Sequence, residues 1–76
     1  MSDECIAIID QLIELRKQKG MTQKELALAA NLTQSVIARL ETKKNTPQLD
    51  TLLRVADALG CNLEIVPSQQ LKGSAL

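Results

Sequence analysis

The chain of 76 residues contains no Phe, Tyr, Trp or His. Without aromatic rings its core must be aliphatic. Base stacking on aromatic side chains, the usual device of single-strand and RNA binders, is excluded. Cys5 and Cys61 are the two cysteines, and they have no metal-ligand spacing. With His also missing, no metal site is expected, and the pair reads as small, reduced core residues. No apolar run is long enough to cross a bilayer, and no basic-then-apolar signal region opens the chain. A soluble, cytoplasmic protein with no membrane partner is therefore expected. There is no phosphate-cradling Gly-rich loop and no convincing nucleophile–base pair, so neither an enzyme nor a cofactor is expected.

Net charge is also lacking: nine Lys and Arg balance nine Asp and Glu. The distribution is uneven, however. Residues 1–15 carry −4, residues 16–44 carry +5, and the remainder carries −1. A neutral total disfavours a nucleic-acid binder, but a basic middle segment does not. The apolar content of 45% is ample for folding. A chain this short holds one small domain, whose core is marginal unless helices pack well or subunits associate.

Local signals divide the chain into four helices. The first is expected over residues 3–18, capped by Ser2, with Asp3 and Glu4 at the positive end of its dipole. Arg16, Lys17 and Lys19 suit the negative end, and Gly20 supplies the left-handed stop. Its apolar residues form two adjoining stripes, Ile6-Ile9-Ile13 and Cys5-Ile8-Leu12-Leu15, which is wider than one face needs. One stripe is expected in the core, with the other partly shared with a second subunit. The second helix opens on the capping box Thr22-Gln-Lys-Glu25, with Met21 and Leu26 as a hydrophobic staple. Asn31 suits a left-handed turn. Thr33 caps a third helix that runs to about Glu41. After a polar loop over 42–46, Pro47 suits the first turn of a fourth helix. Leu49, Leu52, Leu53, Ala56 and Leu59 form its apolar stripe, and Gly60 ends it.

Residues 61–66 alternate apolar and polar up to Ile65 and stop at Pro67, as a short strand does. A single strand needs a partner, and the same strand of a second copy would supply one and give a twofold dimer. An extended tail packed on the core is the alternative. Residues 1–67 form the expected domain and residues 68–76 a flexible C-terminal tail.

The most informative stretch is residues 23–40, QKELALAANLTQSVIARL. Leu26, Ala27, Ala30, Leu32, Ile37 and Leu40 fall where a helix-turn-helix needs its buried face. Ala27 is small where the two helices approach. Thr33, Gln34, Ser35 and Arg39 are left pointing outward, as a helix entering a DNA major groove requires.

The pieces LRKQKGMTQKELA, ANLTQSVIARLE and PQLDTLLRVADALG, over about residues 9–59, resemble the lambda-repressor/Cro-like (xenobiotic-response-element, XRE-type) helix-turn-helix family. That resemblance implies an all-α, four-helix DNA-binding domain, here followed by a short C-terminal strand that would pair across a dimer. It implies that Gln23, at the amino end of the second helix, binds a DNA phosphate, and that Gln34 reads adenine in the major groove. Ser35 and Arg39 take neighbouring base-facing positions, and Arg39 either reads guanine or clamps phosphate. Ala38 and Val36 are apolar enough to touch a thymine methyl, unless Val36 is half buried. Lys43 and Lys44 match a backbone-contacting loop, and Arg16 and Glu41 match a structural bridge. Relatives often carry Gly in place of Lys43, so the loop here is expected to bend differently. The strand-like end is similar to that of antitoxin-type members. The partners implied are double-stranded DNA and a second copy of the chain. The rival reading is an antitoxin-type or other interaction module that binds a partner protein and autoregulates through the same motif.

Overall fold

The computed structural model describes residues 1–68. Among these residues four helices follow one another: α1 (Asp3–Gln18), α2 (Gln23–Ala30), α3 (Gln34–Thr42) and α4 (Leu49–Ala58). Three of their amino ends carry the expected caps. Ser2 accepts from the amide of Cys5 at 3.2 Å, and Thr33 from that of Val36 at 3.2 Å. At α2 the box closes reciprocally, with Glu25 N–H on Thr22 Oγ1 (3.0 Å) and Thr22 N–H on Glu25 Oε1 (2.8 Å). α4 differs. Pro47 lies ahead of the helix, and Gln48 is the N-cap, with no side-chain hydrogen bond to the first turn.

Left-handed residues close the helices. Gly20 (φ 70°) and Gly60 (φ 78°) follow α1 and α4, and Asn31 (φ 59°) ends α2. At each point the next amide reaches back into the helix: Met21 to the Arg16 carbonyl (3.1 Å), Leu32 to Ala27 (2.9 Å) and Cys61 to Ala56 (2.8 Å). Lys43, at φ 61°, also ends α3 in the left-handed form, but there its own amide donates to the Leu40 carbonyl (3.1 Å) and the next amide, that of Lys44, goes to Thr42 Oγ1 (3.3 Å). The loop therefore does not bend away from the left-handed form, as lysine's steric cost had suggested. Lys43 adopts that form, and its side chain finds Asp10 on α1 at 2.6 Å.

α2 packs against α3 and α4, and α1 against α3. The shared core comprises Ile9, Leu12, Leu26, Ala27, Ile37, Leu40, Val55, Ala56 and Leu59. Two details differ from the sequence expectation. On α1 the buried line runs between the two stripes, taking Ile9 from one and Leu12 from the other and leaving Ile8 exposed. On α4, Val55 is fully buried, whereas Leu49 is 67% and Leu53 44% exposed. The core line on α4 is Leu52-Val55-Ala56-Leu59, rotated from the expected stripe because the helix presents more apolar surface than its neighbours can cover.

Among the described residues no strand forms. Residues 61–67 carry no regular secondary structure in the single chain, and the amides of 62–66 make no backbone hydrogen bond to another described residue. The strand expected at 61–66 is thus missing from the isolated chain, where it has no partner. Ile65 is 99% and Val66 53% exposed, so the segment is not a tail folded onto the core at those residues. Cys61 packs against the core, and both cysteines are free and half-buried. The expected tail over 68–76 lies, beyond Ser68, outside the described residues.

Ile37 has no exposed surface and touches the core from α3. Replacing it by Ala should cost about 2–5 kcal/mol of unfolding free energy. That is a large share of a small domain's total, and urea denaturation followed by circular dichroism measures it.

Candidate nucleic-acid interface

α3 is nine residues long and cannot hold its shape or direction alone. Ile37 and Leu40 anchor one edge in the core. The opposite edge is open: Thr33, Gln34, Ser35 and Arg39 are all exposed, and Ala38 is half-buried. Val36, at 36% exposed, lies on the border between the two faces. The burial pattern thus has the division that the sequence predicts.

The carboxyl end of α3 is fastened by Glu41. Arg16 of α1 grips its carboxylate through Nε (2.7 Å to Oε2) and Nη2 (3.0 Å to Oε1). The remaining Arg16 nitrogen, Nη1, donates to the Met21 carbonyl at 2.7 Å. The two side chains are only 12% and 11% exposed. This is the structural bridge implied by the resemblance, and its geometry is the fork-on-carboxylate arrangement that Arg makes and Lys cannot.

Gln23 joins the same group. Its Nε2 donates to Glu41 Oε1 at 3.0 Å, so the side chain is tied to α3 across the front of α2. The capping box uses the amides of Thr22 and Glu25, which leaves those of Gln23 and Lys24 as the donors of that terminus with no partner among the described residues.

The two loop lysines separate. Lys44 is exposed, and its amide donates to Thr42 Oγ1 at 3.3 Å. The Lys43 ammonium is held on Asp10, a pair 35% and 53% exposed. Such a pair is weak and salt-sensitive, so it restrains Lys43 without removing it from reach of another anion.

Beside α3 the loop returns alongside Arg39. Val36, Arg39, Asn45, Thr46, Gln48 and Thr51 line an open depression of about 390 Å³. Sequence reasoning gave Asn45, Gln48 and Thr51 no role. The available signal was the loop's shortness, which with Pro47 forces the chain back along the carboxyl half of α3. Among the described residues no group of His, Cys, Asp and Glu is arranged to hold a metal ion. No helix among the described residues is long and apolar enough to cross a membrane.

Comparison with known proteins agrees with this geometry. A helix-turn-helix family model matches residues 12–66. An uncharacterized HTH-type transcriptional regulator of Haemophilus influenzae is 44% identical over 62 residues, covering 82% of this chain and 63% of that protein. Antitoxin HigA1 of Mycobacterium tuberculosis is 34% identical, covering 86% of this chain and 44% of the antitoxin. A solved toxin–antitoxin module from Streptococcus pneumoniae superimposes with a TM-score of 0.72 at 49% identity, covering 86% of this chain and 71% of that one. The chain thus spans less than two thirds of either curated relative.

The two ion pairs should behave differently. Glu41→Ala leaves the Arg16 guanidinium unpaired in a near-buried position and should cost about 3–5 kcal/mol. Asp10→Ala should cost under about 1 kcal/mol, and less still in high salt. Urea titrations of both variants at low and high ionic strength make the comparison.

Proposed function

Because this chain belongs to the XRE-type helix-turn-helix family, we propose that it is a transcriptional regulator that binds specific sites on double-stranded DNA, with α3 in the major groove. The observation that carries this reading is the split character of α3, whose Ile37 edge is fully buried while Thr33, Gln34, Ser35 and Arg39 stay bare. In a major groove, the Gln34 carboxamide is suited to the paired N6 and N7 of adenine, and Arg39 to guanine or a phosphate. Ser35 lies next to Gln34, and Ala38 offers a methyl to thymine. Thr33 and Gln23, at two helix amino ends, are suited to phosphate oxygens. Lys44 adds a phosphate contact, and Lys43 does so once it leaves Asp10. The basic excess of residues 16–44 favours the approach to the duplex. The function is binding rather than catalysis, exercised in the cytoplasm.

The active species in this reading is a homodimer. Two copies related by a twofold axis would present two α3 helices about 34 Å apart to successive major grooves of a roughly palindromic site. Support comes from apolar surface that one chain leaves uncovered, Leu49 and Leu53 on α4 with Ile65 and Val66 beyond it. The amides of 62–66, which make no backbone hydrogen bond among the described residues, would offer a strand edge to the symmetry mate.

A second reading is supported by the likeness to HigA1 and to the Streptococcus pneumoniae module. Here the chain is an antitoxin-type protein, whose chief partner is another protein and whose DNA contacts serve autoregulation. Co-purification with a small protein encoded alongside favours this reading, and a homodimer alone on its operator favours the first.

Selection from random duplexes should return paired half-sites. Gln34→Ala should then cost about 1–3 kcal/mol on the selected site and little on random DNA. Equal loss on both would remove Gln34 from base reading. Lys44→Ala should weaken binding to all sequences alike and reduce the slope of log affinity against log salt by about 1.

A further inference from the structure

A glutamine that is to hold a DNA phosphate has a difficulty. Its side chain has three rotatable bonds, and fixing them on binding costs affinity. Gln23 does not face this cost unaided, because its Nε2 already donates to Glu41 Oε1 at 3.0 Å in the free protein. A carboxamide nitrogen carries two N–H groups. With one on Glu41, the other has no partner among the described hydrogen bonds, and it lies in the same turn as the unpaired amides of Gln23 and Lys24. We propose that Glu41 is a positioning residue for DNA binding, which holds the Gln23 carboxamide ready to donate its second N–H to a phosphate. The inference rests on the DNA-binding reading above.

A carboxylate close to a phosphate would ordinarily repel it. Here Arg16 neutralises the charge, through Nε at 2.7 Å and Nη2 at 3.0 Å. Oε1 of Glu41 is shared by Arg16 Nη2 and Gln23 Nε2, so the carboxylate presents itself to both partners and to nothing else described. The group Arg16–Glu41–Gln23 is neutral overall and draws on α1, α3 and α2 in turn. A phosphate held at Gln23 is therefore connected through one carboxylate to the end of α3, the helix that reads bases. Glu41 itself touches no DNA in this scheme. It fixes where the backbone contact lies relative to the base contacts, which sets register on the duplex.

The test is a double-mutant cycle on the selected duplex. Arg16→Met with Glu41→Leu removes the whole ion pair and replaces it by apolar side chains of similar size, a change that folded domains commonly tolerate. Glu41→Gln keeps an acceptor for the Gln23 amide. Gln23→Ala in the natural background should lower affinity about tenfold, the worth of a hydrogen bond to a charged group. In the Arg16→Met/Glu41→Leu background, the same Gln23→Ala change should alter affinity less than about twofold. Glu41→Gln, measured where circular dichroism finds it folded, should stay within about threefold of the natural chain. A tenfold effect of Gln23→Ala in both backgrounds makes the two residues independent and overturns the proposal. If the apolar pair variant does not fold, the Gln23 side-chain amide of the natural protein decides by NMR. One proton protected from exchange in the free protein, with the other shifting on DNA addition, supports positioning. Two equivalent, freely exchanging protons overturn it. A natural chain that selects no duplex at all defeats the DNA-binding reading instead, whatever the amide protons do.

Discussion

Three of the four helices have ten residues or fewer, too short to persist in water without tertiary support. Their directions are set by what they bury and by where their ends are tied. For α3 the decisive tie is the Glu41 carboxylate, which takes hydrogen bonds from Arg16 on α1 and Gln23 on α2. The hydrophobic edge of Ile37 and Leu40 keeps α3 on the core but leaves it free to roll or slide. Directional, charge-assisted bonds at one end remove that freedom. An exposed polar edge is then held at a defined angle, which a groove-reading helix needs and an aliphatic core alone does not supply.

The local grammar of the chain was legible in its residues. Thr22 and Glu25 announce a helix start by their spacing, and Asn31 and Gly60 announce helix ends by their tolerance of positive φ. These signals depend on neighbours a few positions away, so they survive any uncertainty about the fold. The face that each helix buries was harder to read. α1 and α4 carry apolar residues over more than one face, and periodicity cannot rank Val55 above Leu53 when both are apolar. The choice falls to the neighbours, and the sequence does not state where those neighbours will lie.

Contacts between distant residues were legible only in part. The Arg16–Glu41 pair was expected through family resemblance. The bond from Gln23 to Glu41 spans 18 positions, and that from Lys43 to Asp10 spans 33. Both depend on α2, α3 and α1 meeting at one corner. A left-handed Lys43 is costly for the backbone alone, but its side chain gains an ion pair at the far end. A cost of about 1–2 kcal/mol for a left-handed L-residue can be met by a helix-closing hydrogen bond, Lys43 N–H to the Leu40 carbonyl at 3.1 Å, together with an ion pair.

The segment that ends in Ile65 and Val66, whose amides 62–66 take no backbone bond among the described residues, presents peptide groups with which an extended chain, native or not, can pair. Two features restrict that promiscuity. Glu64 sets a charge inside the segment, and Pro67 removes the next donor and halts growth of a ladder. Such gatekeepers favour one short, self-limited pairing over open-ended stacking. Loss of the proline or of the acid would leave the domain's interior intact and remove a brake on open-ended pairing between chains.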